Sequence, residues 1–289
     1  MIVKDIPLIG FTLLSQMSAG LLVLYNIMVF LPTFRNKGRM PAWFKTIPLT
    51  AFILGISAMI FSIFHLGHPL KAAQSLNNLS SSWLSREILF MLLFLFFNGS
   101  YVFMIFRMSE WKRLMLVFLN LGSLLGIVLV YSMSRVYTDL PVPAWQPIFT
   151  FLNFSASAIA TGGIVLLLFL TQKGSLSAQR SLSWILAIIF LLEIAAIPVF
   201  LSYLDQNSLT SQQSLKILLD DYGIIFYIRL AFQVLSLVFI FTAILNLKSN
   251  IDENKKLLWP VIMASACIFL SEISGRILFY AVVVPLGGL

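Results

Sequence analysis

The sequence predicts an all-α, polytopic integral membrane protein with eight transmembrane helices and both termini outside. Three observations lead there. First, 60% of the 289 residues are hydrophobic and 10% are charged, with a mean hydropathy of +0.96. A soluble domain carries about 25% charged and about 45–50% apolar residues. Second, the apolar residues are gathered into eight blocks, each near the length of about 20 residues that a helix needs to cross hydrocarbon. Third, lysine and arginine favour alternate connections between those blocks. Lipid offers no partner to backbone N–H and C=O groups, so the blocks are expected to be helices. The alternating pattern of a membrane barrel is absent.

The first block, 7–31, sits in MIVKDIPLIGFTLLSQMSAGLLVLYNIMVFL. It lacks the short apolar region and small-residue cleavage site of a signal peptide, and reads as a retained span. A basic loop bracketed by Pro32 and Pro41 leads to the second block, 46–67, where Gly67 and Pro69 supply a stop signal. The third, 88–106, follows SWLSRE, with Ser85 the expected cap and Glu87 a dipole partner at the helix start. The fourth, 114–134, runs into SRVYTD, and Pro141, Pro143 and Pro147 stiffen the connection to the fifth, 147–171. The sixth is 181–204. SYLDQNSLTSQQSLKILLDDYG (202–223), the longest polar stretch, is expected to be a surface loop with one short amphipathic turn. The seventh, 223–247, carries Arg229, and the eighth, 258–281, carries Glu272 and Arg276. With no room for an extramembrane domain, the sequence reads as one eight-helix membrane domain, 1–289.

Twelve lysines and arginines fall on one side, five on the other, and Arg229 and Arg276 lie within spans. The richer side is expected to be cytoplasmic. The net charge of +8 then follows from topology and contact with anionic lipid, and no nucleic-acid partner is implied. Cys267 is the sole cysteine, which excludes an intramolecular disulfide and a cysteine-ligated iron–sulfur cluster.

Following the chain back and forth places His65, His68, Arg86, Glu87, Arg135, Arg229, Glu272 and Arg276 in the outer half of the membrane, with Glu193 near the middle. Singly, each has a structural explanation: histidines bonded to carbonyls at a helix end, Glu272 and Arg276 as an i,i+4 pair, Arg229 reaching along its stem toward the interface. Ionisable groups in hydrocarbon are nevertheless costly and mark functional sites, and a shared depth is harder to explain one residue at a time. His65 and His68 are three residues apart at one helix end, so they cannot clamp opposite faces of a haem. A metal would lack a third close ligand beyond Glu87. Oxidation of a quinol fits better. It needs an apolar slot, an imidazole or carboxylate to accept each hydroxyl proton, and nearby cations, and histidine titrates in the right range. The electrons would have no carrier in this protein, so an iron–sulfur partner is required.

Three strings, HLGHPLKAAQSLNNLSSSWLSREI, VLVYSMSRVYTDLPVPAW and SEISGRILFY, resemble the membrane anchor subunit of dimethyl sulfoxide reductase, the DmsC family. More distantly, the sequence is similar to membrane subunits of the polysulfide reductase type. The resemblance covers essentially the whole length. It implies an eight-helix anchor with both termini outside, in the bacterial cytoplasmic (inner) membrane, that binds menaquinol and binds neither haem nor an iron–sulfur cluster itself. The implied partners are a four-cluster iron–sulfur subunit and a molybdopterin catalytic subunit. His65 and Glu87 match the positions associated with quinol binding. Arg135, Glu272 and Arg276 match motif positions as site or supporting residues, while Arg86 and His68 stand at positions that vary in the family. A secondary transporter and a structural anchor without a quinol site are the competing readings, and the terminal electron acceptor stays open.

Overall fold

The computed structural model describes residues 2–31, 42–65, 78–108, 110–173, 176–247 and 255–284. The described residues are helical almost throughout: α1 (Ile2–Phe30), α2 (Ala42–His65), α3 (Trp83–Arg107), α4 (Lys112–Thr138), α5 (Pro147–Lys173), α6 (Leu176–Asn207), the short α7 (Leu209–Lys216), α8 (Gly223–Asn246) and α9 (Lys255–Ala281). All but α7 are long and apolar enough to cross a membrane, which makes eight spans.

Several helices outrun the apolar blocks, because charged and polar residues are tolerated where a helix leaves hydrocarbon. The third helix starts at Trp83, five residues before its block, which puts Arg86 and Glu87 inside the helix. Its cap is Ser82, whose hydroxyl accepts from the Ser85 amide at 3.4 Å, in place of the expected Ser85. The sixth helix runs on to Asn207. A Ser208 capping box with Ser211 then starts α7, and a π-helical turn over Ile217–Asp221 leads to α8. The polar 202–223 stretch is therefore helical almost throughout, because its serines cap and bond back to the backbone locally.

The spans pack as two groups of four. In the first, α1 packs on α2 and α4, and α3 on α2 and α4; in the second, α5 and α8 each pack on α6 and α9. The groups meet chiefly along α1 and α5, with α4–α5 and α1–α9 contacts beside them. Glycine makes this junction. A Cβ on Gly20 would lie 2.6 Å from the carbonyl carbon of Ala158, and one on Gly162 would lie 2.5 Å from that of Gly20. Close backbone approach through small residues is how helices associate where lipid removes the hydrophobic drive. Burial follows from this layout: 67% of the most apolar window of α5 is buried, against 17% for α6, most of which the rest of the described residues leave uncovered. Alternation of the spans brings the starts of α1, α3, α5 and α8 and the ends of α2, α4, α6 and α9 to one end of the bundle, here the Glu87 end.

Candidate functional site

At the Glu87 end, α9 presents a column of polar groups. Glu272, Arg276 and Tyr280 are spaced four residues apart and so share one helical face. Glu272 and Arg276 are 3% and 1% exposed. The Arg276 guanidinium donates to Gln16 Oε1 on α1 at 2.6 Å and lies 3.9 Å over the Phe154 ring of α5. Tyr280 and Tyr137 of α4 share a hydroxyl–hydroxyl bond of 2.8 Å. Tyr137 stands edge-on to Trp145 and Phe279, each at 5.1 Å between centroids. Trp145 stacks on Phe279 at 5.3 Å and donates from its indole nitrogen to the Phe279 carbonyl at 2.9 Å. The Pro141–Pro147 connection thus anchors one wall of an aromatic enclosure.

Glu87 enters from α3, buried at 4% exposure and close enough to Tyr137 and Tyr280 to act on both electrostatically. Arg276 likewise acts on both tyrosines. Helices α1, α3, α4, α5 and α9 therefore converge on one polar patch within an aromatic surround. Its hydrogen-bonding capacity is incompletely used by the described residues: Arg276 Nη1, Gln16 Nε2 and Glu272 Oε1 are buried without a protein partner. Such groups, arranged around flat rings, suit a planar ligand with oxygen at its edge.

The other expected residues lie elsewhere. Arg86 is turned to the rim, donating to the Leu79 and Ser80 carbonyls at 2.8 and 2.6 Å, with its guanidinium 4.4 Å over Trp83. Arg135 is 5.2 Å from the same ring and pairs with Asp139 at 2.9 Å. Both are rim cations beside the enclosure. Glu272 and Arg276 do not form the expected i,i+4 ion pair, since Arg135–Asp139 is the one pair within 4 Å among the described residues. Arg229 does not reach along its stem to the interface: its guanidinium packs on α9, 3.1 Å from where a Cβ on Gly275 would stand. The second helix ends at His65, at the same bundle end. The His65 side chain and all of His68, with Gly67 and Pro69, lie outside the described residues. Cys267 is a free, buried cysteine. No group of three or more His, Cys, Asp or Glu able to hold a metal occurs among the described residues.

Sequence reasoning does not single out Tyr137, Tyr280 or Gln16. The two tyrosines lie inside strings that carry other candidates, SRVYTD and SEISGRILFY, where they read as apolar aromatics. Gln16 carries a signal of its own, a long amide one turn after Thr12 in an otherwise apolar span.

Comparison with known proteins gives one family. The family model for the DMSO reductase anchor subunit (DmsC) matches residues 1–282. The sequence is 31% identical over 162 residues to the C subunit of the anaerobic dimethyl sulfoxide reductase of Haemophilus influenzae, covering 56% of this protein and 57% of the relative. Two Escherichia coli K12 proteins are also similar. The YnfH subunit of anaerobic dimethyl sulfoxide reductase is 30% identical, covering 55% of each protein, and the C subunit is 28% identical, covering 58% of each. The matched region thus spans little more than half the length of these curated relatives.

Proposed function

The chain belongs to the DMSO reductase anchor subunit (DmsC) family, and on that premise we propose that it anchors an anaerobic respiratory complex and oxidises menaquinol at the Glu87 end of its bundle. Its 1–289 residues act as a single membrane domain in the bacterial inner membrane, with both termini outside, so the Glu87 end lies at the outer face. The electrons pass to an iron–sulfur subunit with four clusters, and from there to a molybdopterin subunit that reduces the terminal acceptor. That acceptor, a sulfoxide, an amine N-oxide or another oxyanion, is selected by the catalytic subunit and not by the anchor.

One observation carries the reading: a carboxylate, a tyrosine pair and an arginine, all buried, meet inside an aromatic enclosure at the end where α2 finishes at His65. A quinol ring slots between the aromatic walls. Glu87 takes the proton of one hydroxyl and His65 serves as the second acceptor. Arg276, held by Gln16, donates to an oxygen of the ring, and Glu272 supports it from the preceding turn. Arg86 and Arg135 keep the rim positive, with His68 beside them on the connection. The quinol loses two protons and two electrons; the protons leave through the acceptors and the electrons through the partner.

Titration of membranes with a fluorescent quinol analogue tests the assignment. Wild type should quench stoichiometrically, whereas His65→Ala and Glu87→Gln should each bind the analogue at least tenfold more weakly while the complex still assembles. Unchanged binding in both variants would remove the site from this end of the bundle. Recovery of an iron–sulfur protein and a molybdopterin protein with the anchor checks the partners.

A further inference from the structure

A second polar cluster lies deeper, in the second group of spans, and the quinol site at the Glu87 end leaves its role unassigned. Gln233 of α8, wholly buried, donates to Glu193 Oε2 of α6 at 3.0 Å. From α8, Arg229 leans on α9 beside Gly275, its guanidinium 3.1 Å from where a Cβ there would stand. From α9, Glu272 and Arg276 act on Glu193 electrostatically, as does Arg229. Two carboxyl groups and two guanidinium groups thus share this region, yet among the described residues none is within ion-pair distance of another. Glu193 Oε1, Gln233 Oε1, Arg229 Nε, Glu272 Oε1 and Arg276 Nη1 are all buried without a partner among the described residues.

Carboxylates and guanidinium groups inside a membrane are too costly to keep as spacers. Neutralising both pairs by direct contact would be the cheaper structural solution, and it is not the one adopted. Polar groups without partners near one another are what bridging water requires, and water between carboxylates carries protons. The row is also continuous with the first site, because Arg276 and Glu272 belong to both.

Building on the quinol reading above, we propose that Glu272 and Glu193, positioned by Arg229 and Gln233, form a proton relay that draws one of the two quinol protons into the second group of spans. One hydroxyl O–H bond breaks toward His65 and the other toward Glu87. Glu87 passes its proton through bridging water to Glu272 and from there to Glu193, which releases it to bulk water, so that each carboxylate is restored. The two electrons leave separately to the iron–sulfur partner, and the ring ends as quinone. Glu193 touches no part of the ring and acts only through Glu272.

The test uses the assembled complex and a redox-induced infrared difference spectrum taken as the quinol is oxidised. Wild type should show a carboxylic C=O band that is absent in Glu193→Gln, while the affinity for the quinol analogue stays as in wild type. Turnover in Glu193→Gln should fall about a hundredfold at unchanged KM, the lower end of what a positioned proton-transfer group contributes. Gln233→Leu keeps the carboxylate and removes its donor, and should shift the band without abolishing it. If Glu193→Gln does not assemble, Gln233→Leu alone decides: an unshifted band overturns the relay. Retained band and full turnover in Glu193→Gln, alongside a Glu87→Gln variant that has lost quinol oxidation, would sink the relay and leave the quinol site standing. Loss of neither activity in the two variants would sink the quinol site itself.

Discussion

Gly20→Ala should loosen the junction of the two helix groups and, through it, the quinol site. The added Cβ would stand 2.6 Å from the Ala158 carbonyl carbon, where the obstacle is backbone and cannot rotate away. Carbon atoms rest at about 3.5–4.0 Å, so α1 and α5 must part by about 1 Å. Overpacking of a well-fitted interior costs about 1–3 kcal/mol, and a contact between two backbones belongs at the upper end. For a protein of this size that corresponds to a fall in Tm of about 5 °C. Gln16 lies one turn from Gly20 on α1 and holds Arg276 at 2.6 Å. A shift of about 1 Å carries that bond beyond the normal limit of about 3.2 Å, so KM for quinol should rise with the loss of stability. Differential scanning fluorimetry of the purified complex, with quinol-dependent turnover, reads both effects. Gly223→Ala is the control, since its Cβ would meet only Tyr227, at 4.0 Å. A Gly20→Ala complex with wild-type Tm and KM would refute the claim that this glycine crossing sets the geometry of the site.

Other substitutions separate the enclosure from its rim. Tyr137→Phe removes the Tyr280 bond to Tyr137 and leaves Thr12 as its neighbour, which should cost about 1 kcal/mol of stability, with weaker binding of the quinol analogue in the same titration. Arg276→Lys keeps the charge but loses the planar fork that reaches Gln16 while stacking on Phe154, so turnover should fall even where the complex assembles normally. By contrast, Arg135→Ala breaks an ion pair whose side chains are 34% and 43% exposed. That substitution should cost no more than about 1 kcal/mol of stability and lower turnover less than Arg276→Lys does, because Arg86 still keeps the rim positive.

The spans are legible in the sequence because lipid imposes one rule on every residue within it: about twenty apolar residues in a row have no soluble alternative. The depth of the polar residues follows from alternation, and Glu87, Glu272 and Arg276 stand out on that basis. What depth alone does not supply is direction around each helix. Arg86 and Glu87 are adjacent, yet one folds back on the Leu79–Ser80 turn while the other is buried at 4% exposure. Glu272 and Arg276 have the spacing of an ion pair, but a better acceptor for Arg276 comes from α1, 260 positions away in the sequence. The tyrosine pair Tyr137–Tyr280 is separated by 143 residues and carries no local signal at all. Ser85 reads as the cap because it directly precedes Arg86 and Glu87, whereas the helix has already begun a turn earlier at Ser82.

The most direct measurement is menaquinol-dependent reduction of the terminal acceptor by the intact complex, with wild-type and Glu87→Gln anchors compared at equal assembly. An artificial donor that reduces the iron–sulfur subunit without quinol serves as the internal reference. Loss of about a hundredfold in the quinol-driven rate, the scale of one proton-transfer group, with the artificial-donor rate unchanged, is the expected result. Equal quinol-driven rates in the two complexes would contradict the account.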